Sequence, residues 1–76
     1  MTTRQPPYNI HWIAKEVRIL RHAHGWSQMT LANMADITSV SLANFENGKG
    51  NMQLKRIEDV LEVLGYEIDI HLIDRA

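Results

Sequence analysis

Trp-Ser-Gln-Met-Thr-Leu-Ala-Asn-Met-Ala-Asp-Ile-Thr-Ser-Val-Ser-Leu-Ala-Asn-Phe-Glu-Asn-Gly, residues 26–48, contains two short helical patterns separated by about one turn of non-helical chain. Ser27 and Thr38 are suited to begin these helices, because a hydroxyl can accept a hydrogen bond from an unpaired N–H of the first turn. Asn47-Gly48 predicts the end of the second helix, since glycine tolerates the left-handed conformation found there. The stretch therefore predicts helix, turn, helix.

The apolar residues of this stretch recur at helical spacing and predict one buried face on each helix. They are Leu31, Ala32, Met34 and Ala35 in the first helix, and Leu42 and Phe45 in the second. The outer face of the second helix carries small, mostly polar residues. This layout is typical of a helix-turn-helix motif, whose second helix enters the DNA major groove.

A longer amphipathic helix is predicted on each side of the motif. The first spans roughly residues 10–24 after a possible cap at Asn9, and the second spans roughly 53–64 and ends at Gly65. Their apolar stripes are Ile10, Ile13, Ala14, Val17 and Leu20, and Leu54, Ile57, Val60, Leu61 and Leu64. Trp12 and Ile19 lie off the first stripe, which indicates either contact with another chain or packing against the N-terminal arm.

The two ends of the chain differ from the helical part. Residues 1–8 contain Pro6-Pro7 and predict an unstructured arm, followed by a helix-turn-helix domain over 9–65. Residues 66–76 are interpreted as a dimerisation strand and tail. The residues predicted to share one face of that strand are Tyr66, Ile68, Ile70 and Leu72.

A single strand would leave its backbone groups unpaired, and the sequence contains no second strand pattern. The same strand of a second subunit would satisfy those groups across a twofold axis, so the pattern predicts a homodimer. A disordered or helical tail is the alternative.

Composition excludes several functional classes. The 76 residues suffice for one domain, and the lack of cysteine excludes disulfide scaffolds and thiolate metal sites. No apolar run approaches the ~18 residues of a membrane span, and the N-terminus lacks a signal-peptide pattern. Four scattered histidines without a zinc-binding spacing, and no glycine-rich phosphate loop, predict no metal, no cofactor and no enzymatic activity. A cytoplasmic location is expected.

The charges are distributed unevenly. Residues 1–56 carry seven basic and three acidic side chains, whereas residues 57–76 carry one basic and six acidic ones. A positive surface facing DNA phosphates would explain this difference, and a solvated surface of uneven charge is the simpler alternative. The candidates for phosphate contact are Arg18, Arg21, Lys49, Lys55 and Arg56.

Several segments resemble one family in the order that the family has them. Val17-Arg18-Ile-Leu-Arg21, Gly25-Trp26-Ser27-Gln28, Leu31-Ala32 and Asn44-Phe45-Glu46-Asn47-Gly48-Lys49 resemble the Cro/repressor-type (XRE) helix-turn-helix family over about residues 10–65. The Gly-Trp-Ser-Gln and Asn-Phe-Glu-Asn segments and the strand pattern after the last helix look most like the HipB-type antitoxins.

This resemblance implies a mainly α fold: a repressor-like domain of four or five helices, with a C-terminal β-strand that pairs across a homodimer. It also implies a sequence-specific repressor of a HipBA-like toxin–antitoxin operon, which binds double-stranded DNA at a palindromic operator and binds a HipA-like kinase toxin. Two alternatives remain. One is a prophage or plasmid repressor without a toxin, and the other is a toxin-neutralising protein-binding module with weak DNA binding.

The resemblance also assigns roles to individual residues. Ser39, Val40 and Asn44 would face base edges, and Gln28, Ser41 and Asn47 would contact phosphates together with the basic Lys49 and Arg18. The buried positions would be Leu31, Ala32, Ile37, Leu42 and Phe45. Glu46 would be structural or would position a neighbouring arginine.

The second helix of the motif has an unusual composition for a base-reading helix. It contains no Arg, Lys or Gln, so Asn44 is its one residue able to form two hydrogen bonds to a base, and adenine is the matching base. Ser39 can contact several bases, and Val40 can contact a thymine methyl group. We therefore expect modest selectivity per half-site, with a contribution from DNA shape. Asp36, in the turn, is unfavourable near phosphate.

Overall fold

The computed structural model describes residues 10–68, which contain four helices. These are α1 (Ile10–Ala23), α2 (Gln28–Ala35), α3 (Ser39–Glu46) and α4 (Leu54–Leu64). The prediction of a mainly helical domain is confirmed, and the described residues hold four helices, not five. The ends of α1 and α4 lie within one residue of the predicted limits.

The core lies where the four helices meet, and each helix supplies one of its largest fully buried side chains. These are Val17 from α1, Leu31 from α2, Leu42 from α3 and Val60 from α4. Both α1 and α2 pack against α3 and α4, so each helix is fixed by two others. The predicted core positions Leu31, Ala32, Leu42 and Phe45 are buried, and Ile37 is half-buried against them.

Two residues predicted to face inward are exposed. Met34 is 51% exposed, because the buried face of α2 is centred on Leu31, Ala32 and Ala35 and Met34 lies outside that arc. Leu54 is 61% exposed, since it is the first residue of α4 and helical side chains lean towards the N-terminus, beyond the turn that packs on the core. Both residues contribute to the surface.

The predicted arm and strand fall largely outside the described residues. Residues 1–9, including the cap candidate Asn9, and residues 69–76, including Ile70 and Leu72, are not described. Tyr66–Ile68 follow α4 without helix or strand assignment. A strand that pairs only with a second subunit cannot be assigned from a single chain, so the strand and the dimer stay predictions.

Candidate nucleic-acid interface

Side-chain caps begin both short helices of the motif, as predicted. The Ser27 hydroxyl accepts from the Thr30 N–H at 3.0 Å, and the Thr38 hydroxyl accepts from the Ser41 N–H at 3.0 Å. An eight-residue helix is marginal without such support, because few of its backbone groups are paired within the helix. The caps therefore fix the first residue of α2 and of α3, and so define the turn between the two helices.

The outer face of α3 is open to solvent, and its inner face is buried. Val40 is 68% exposed, and Ser41, Asn44 and Asn47 are also exposed. Ser39 is half-buried. Two of the three predicted base-contacting side chains are thus accessible to a DNA groove, and Ser39 is partly covered.

A buried hydrogen-bonded ion pair connects α1 to the end of α3. Arg21 donates from Nε to Glu46 Oε2 at 2.8 Å and from Nη2 to Glu46 Oε1 at 2.9 Å. A third donor, Arg21 Nη1, reaches the Trp26 carbonyl at 2.9 Å, and Gln28 Nε2 donates to Glu46 Oε1 at 3.1 Å. In the part of the chain that the structure describes, no buried side-chain polar atom lacks a partner.

This arrangement corrects one prediction and confirms another. Arg21, expected among the phosphate contacts, is only 7% exposed and uses three nitrogens within the protein, so it is structural. The position of Arg21 in the sequence of α1 did not indicate this structural role, since its partner lies 25 residues away. Glu46 positions an arginine, which is one of the two roles expected of it. Gln28 is held by the same carboxylate.

The ion pair shifts the pKa of both partners towards the charged forms. The hydrogen bonds that Arg21 donates to Glu46 raise the pKa of Arg21 above its ordinary value, against the opposing effect of burial. Burial raises the pKa of the Glu46 carboxyl, but the hydrogen bonds from Arg21 and Gln28 and the charges of Arg21 and Arg18 outweigh it, so this pKa lies below its usual range. The pair is therefore ionised at neutral pH.

A groove of about 540 Å³ runs beside α3, between the turn of the motif and the start of α4. It brings Ser41, Asn44 and Lys49, all predicted site residues, together with Arg56. The other lining residues are Asp36, Ile37, Thr38, Phe45, Gly50, Asn51, Met52 and Gln53. The groove does not include Gln28, Ser39, Val40, Asn47 or Arg18.

The segment after α3 folds back on that helix and brings Lys49 to the groove. The Lys49 N–H donates to the Asn44 carbonyl at 2.7 Å, and Gly48 and Gly50 both have a φ of 76°. A Cβ at position 48 would approach His11 Nδ1 to 3.2 Å, so this turn also lies close to α1. Asn51 and Gln53, which also line the groove, were not predicted. The only sequence signal for them was the polar loop that follows Gly48.

Lys55 lies apart from this groove. Its Nζ is 3.5 Å from Asp59 Oδ1, four residues along α4, and the side chain is largely exposed. Exposed pairs of this kind contribute little to stability and keep the charge accessible. Lys55 is not among the groove residues, so only two of the five basic candidates, Lys49 and Arg56, line the groove beside α3.

Within residues 10–68, no group of three or more His, Cys, Asp or Glu side chains could hold a metal ion. None of the helices in that range is long and apolar enough to cross a membrane.

Comparison with known proteins agrees with this geometry. The helix-turn-helix family profile matches residues 17–71, which includes α2, α3, the turn and α4. The chain belongs to the XRE-type helix-turn-helix family. The family resemblance inferred from the sequence is thereby confirmed.

Similar curated proteins place the chain closer to one branch of this family. It is 30% identical over 74 residues to Antitoxin HipB from Escherichia coli O6:H1 (strain CFT073), with coverage of 97% of this chain and 77% of that protein. The identity to Antitoxin HipB from Escherichia coli K12 is also 30% over 74 residues, with coverage of 97% and 82%. This XRE-type protein is therefore HipB-like.

Solved structures show the same fold. A chain from a structure described as "Structure of HipA-HipB-O2-O3 complex" superposes with a TM-score of 0.71 at 27% identity, covering 96% of this chain and 100% of that one. A chain described as "MDT Protein" gives the same TM-score, identity and coverage.

Proposed function

We propose that this HipB-like protein is a sequence-specific DNA-binding repressor and the antitoxin of a HipBA-like operon. The observation that carries the proposal is the exposed outer face of α3, with Asn44 beside a groove that contains Lys49 and Arg56. A polar, accessible helix next to two exposed cations is the arrangement that a major groove and its phosphates require.

Base reading would depend on the outer face of α3. Asn44 would pair with adenine through its carboxamide, Val40 would contact a thymine methyl group, and Ser39 would add one hydrogen bond. Val40 is 68% exposed, so its methyl groups are accessible to a DNA groove. The selectivity of one α3 helix would be modest, since it has no Arg, Lys or Gln.

Phosphate contacts would come from two places around that helix. Lys49 and Arg56 would hold the backbone that follows the groove, with Ser41 and Asn47 adding hydrogen bonds from α3 and its end. Gln28 would use the amide hydrogen that it does not donate to Glu46, so the carboxylate orients it for a phosphate. Arg18 would contribute its charge from α1.

The proposal includes a homodimer in the cytoplasm, joined by the predicted strand of Tyr66, Ile68, Ile70 and Leu72. Two α3 helices would then lie about 34 Å apart, the length of one turn of B-DNA, and would bind a palindromic operator. The dimer offsets the modest selectivity of each helix, because both half-sites must match.

The proposed protein partner is a HipA-like kinase toxin. The similarity to HipB over 97% of the chain and the fold shared with the HipB-containing structure support this proposal. The other surface available to a partner is acidic: a second groove of about 520 Å³ is lined by Glu58, Asp59, Glu62, Gly65, Tyr66, Glu67 and Ile68. No catalytic step by this chain is part of the proposal.

The test is an electrophoretic mobility shift with DNA from the promoter of the protein's own gene, with and without the partner encoded beside it. We expect a shift at low salt that weakens steeply as salt increases, because phosphate contacts release bound counterions. The absence of a shift at low salt would overturn the DNA-binding proposal.

Asn44→Ala tests base reading directly, with Asn33→Ala on the exposed side of α2 as the matched control. We expect Asn44→Ala to lose about tenfold or more in affinity for the matched operator, and to lose discrimination at one base pair in each half-site. Asn33→Ala should bind as the parent protein does. Unchanged discrimination in Asn44→Ala would show that this residue does not read a base.

The second candidate is a protein-binding module that neutralises a toxin and binds DNA weakly. The acidic groove at the end of α4 favours it. If the promoter DNA is not shifted but the kinase co-purifies with the chain, this candidate replaces the repressor. A neighbouring phage gene cluster without a kinase would instead favour a plain repressor.

A further inference from the structure

The turn between α2 and α3 contains an acidic residue in an unusual conformation. Asp36 ends α2 with φ 60° and ψ 44°, and it is the one non-glycine residue with positive φ in residues 10–68. Its backbone N–H donates to the carbonyls of Ala32 and Asn33, and these hydrogen bonds close the C-terminal end of α2. Asp tolerates this left-handed conformation better than most residues do, but glycine adopts it without steric cost.

The carboxylate of Asp36 lines the same groove as Lys49 and Arg56 and is exposed. Within the described residues it forms no hydrogen bond and no ion pair. Local packing therefore does not require its negative charge. The backbone requirement would be met equally well by a neutral asparagine or a glycine.

We propose that Asp36 is a negative determinant of DNA affinity, a residue that weakens binding by repelling the phosphates that follow the groove. This inference rests on the proposed DNA-binding function, which puts those phosphates beside Lys49 and Arg56. A carboxylate within about 8 Å of a phosphate opposes binding by a modest Coulomb energy, and salt screens that repulsion over about 10 Å at 0.1 M.

The repulsion acts on the backbone, so it lowers affinity for every DNA sequence by a similar factor. It also partly cancels the charges of Lys49 and Arg56 and so makes the protein release DNA more easily. A repressor with this residue binds DNA less tightly than its basic groove would allow.

The experiment compares Asp36→Asn with Glu58→Gln by fluorescence anisotropy. Both substitutions remove one negative charge, but Glu58 lines the second, acidic groove, which shares no residue with the groove of Asp36. Labelled promoter DNA and unrelated DNA of equal length are titrated at about 50 mM and about 500 mM salt. Asp36→Gly is the second charge-removing variant, and unfolding by urea checks that each protein is folded.

For Asp36→Asn at the lower salt, we expect an affinity about threefold higher per subunit on both DNAs, with the gain largely lost at the higher salt. Asp36→Gly should show the same gain, and Glu58→Gln a much smaller one. Three results would overturn the inference: equal effects of Asp36→Asn and Glu58→Gln, a gain in Asp36→Gly alone, or a change of discrimination at one base pair. If the parent protein binds neither DNA, the proposed function fails as well.

Discussion

The two faces of α3 have opposite surroundings. On the inner face, Leu42 and Phe45 are buried in the core and Glu46 is held by hydrogen bonds from Arg21 and Gln28. On the outer face, the side chains of Val40 and Asn44 are exposed. The same eight residues thus combine a buried structural face with an exposed face that is available for binding. Substitutions on the inner face should change stability, whereas those on the outer face should change DNA binding alone.

The largest effect is expected from Glu46→Ala. It would leave the Arg21 guanidinium buried without its counter-charge and Gln28 without its acceptor, so the free energy of unfolding should fall by about 3–5 kcal/mol. Urea unfolding at a fixed protein concentration measures this loss. Asn44→Ala on the outer face is the control, with an expected change within about 0.5 kcal/mol.

A double variant identifies the cause of that loss. Arg21→Met combined with Glu46→Leu replaces both charges with apolar groups of similar size, and it should be less destabilising than Glu46→Ala alone. If the single and double variants are equally unstable, the loss comes from the missing hydrogen bonds of the intact pair and not from a buried, unpaired charge.

Lowering the pH should produce the same loss of stability gradually. Since the pKa of Glu46 is lower in the folded than in the unfolded state, its contribution to stability is fully present above the unfolded value of about 4.3. This contribution is lost as the pH falls through the lower, folded pKa. Urea unfolding of the parent protein and Glu46→Gln between pH 7 and pH 3 should give curves that converge in acid. Curves that stay parallel would contradict the assignment.

Lys49→Gln should weaken DNA binding without reducing stability. One phosphate contact fewer per subunit lowers the slope of log K against log salt by about 0.9 per subunit, and affinity should fall by a similar factor on all sequences. Lys15→Gln, on the exposed surface of α1, is the charge-matched control. An identical salt slope in the two variants would remove Lys49 from the interface.

The smallest effect is expected at Thr38, the residue that caps the start of α3. Thr38→Ala removes the acceptor of the Ser41 N–H at the start of α3, and we expect a loss of about 1 kcal/mol in unfolding free energy. In Ser41→Ala the cap remains, since the Ser41 hydroxyl contacts only the Thr38 hydroxyl, so stability should change much less. Equal losses would mean that the backbone cap contributes little.

Local patterns in the sequence predicted much of this molecule. Ser27 and Thr38 predicted the helix starts, Gly65 predicted the end of α4, and the apolar spacing predicted nearly all of the core, including Val17, Leu31, Leu42 and Val60. These features depend on neighbours within a few residues or on one face of one helix. The prediction that Met34 and Leu54 face the core was wrong, because at the edge of an apolar stripe the neighbouring helices determine whether a side chain is covered.

The roles of the charged residues depend on contacts between residues that are far apart in the sequence. The sequence placed Arg21 with the phosphate contacts, yet folding brings it to Glu46 and buries it. Conversely, Asp36 in the turn after α2 and Arg56 in α4 meet in one groove with Lys49. No local pattern reports such proximity, so the charge of a residue could be read from the sequence, but its partner could not.

The sequence by itself determined the helix-turn-helix pattern, the buried face of α3 and the polar character of its outer face, because helical periodicity and capping are local properties. Only the tertiary structure decided which charges are available to DNA. It enclosed Arg21 with Glu46, left Lys49 and Arg56 exposed, and set Asp36 beside them, since burial and pairing arise only when the helices pack.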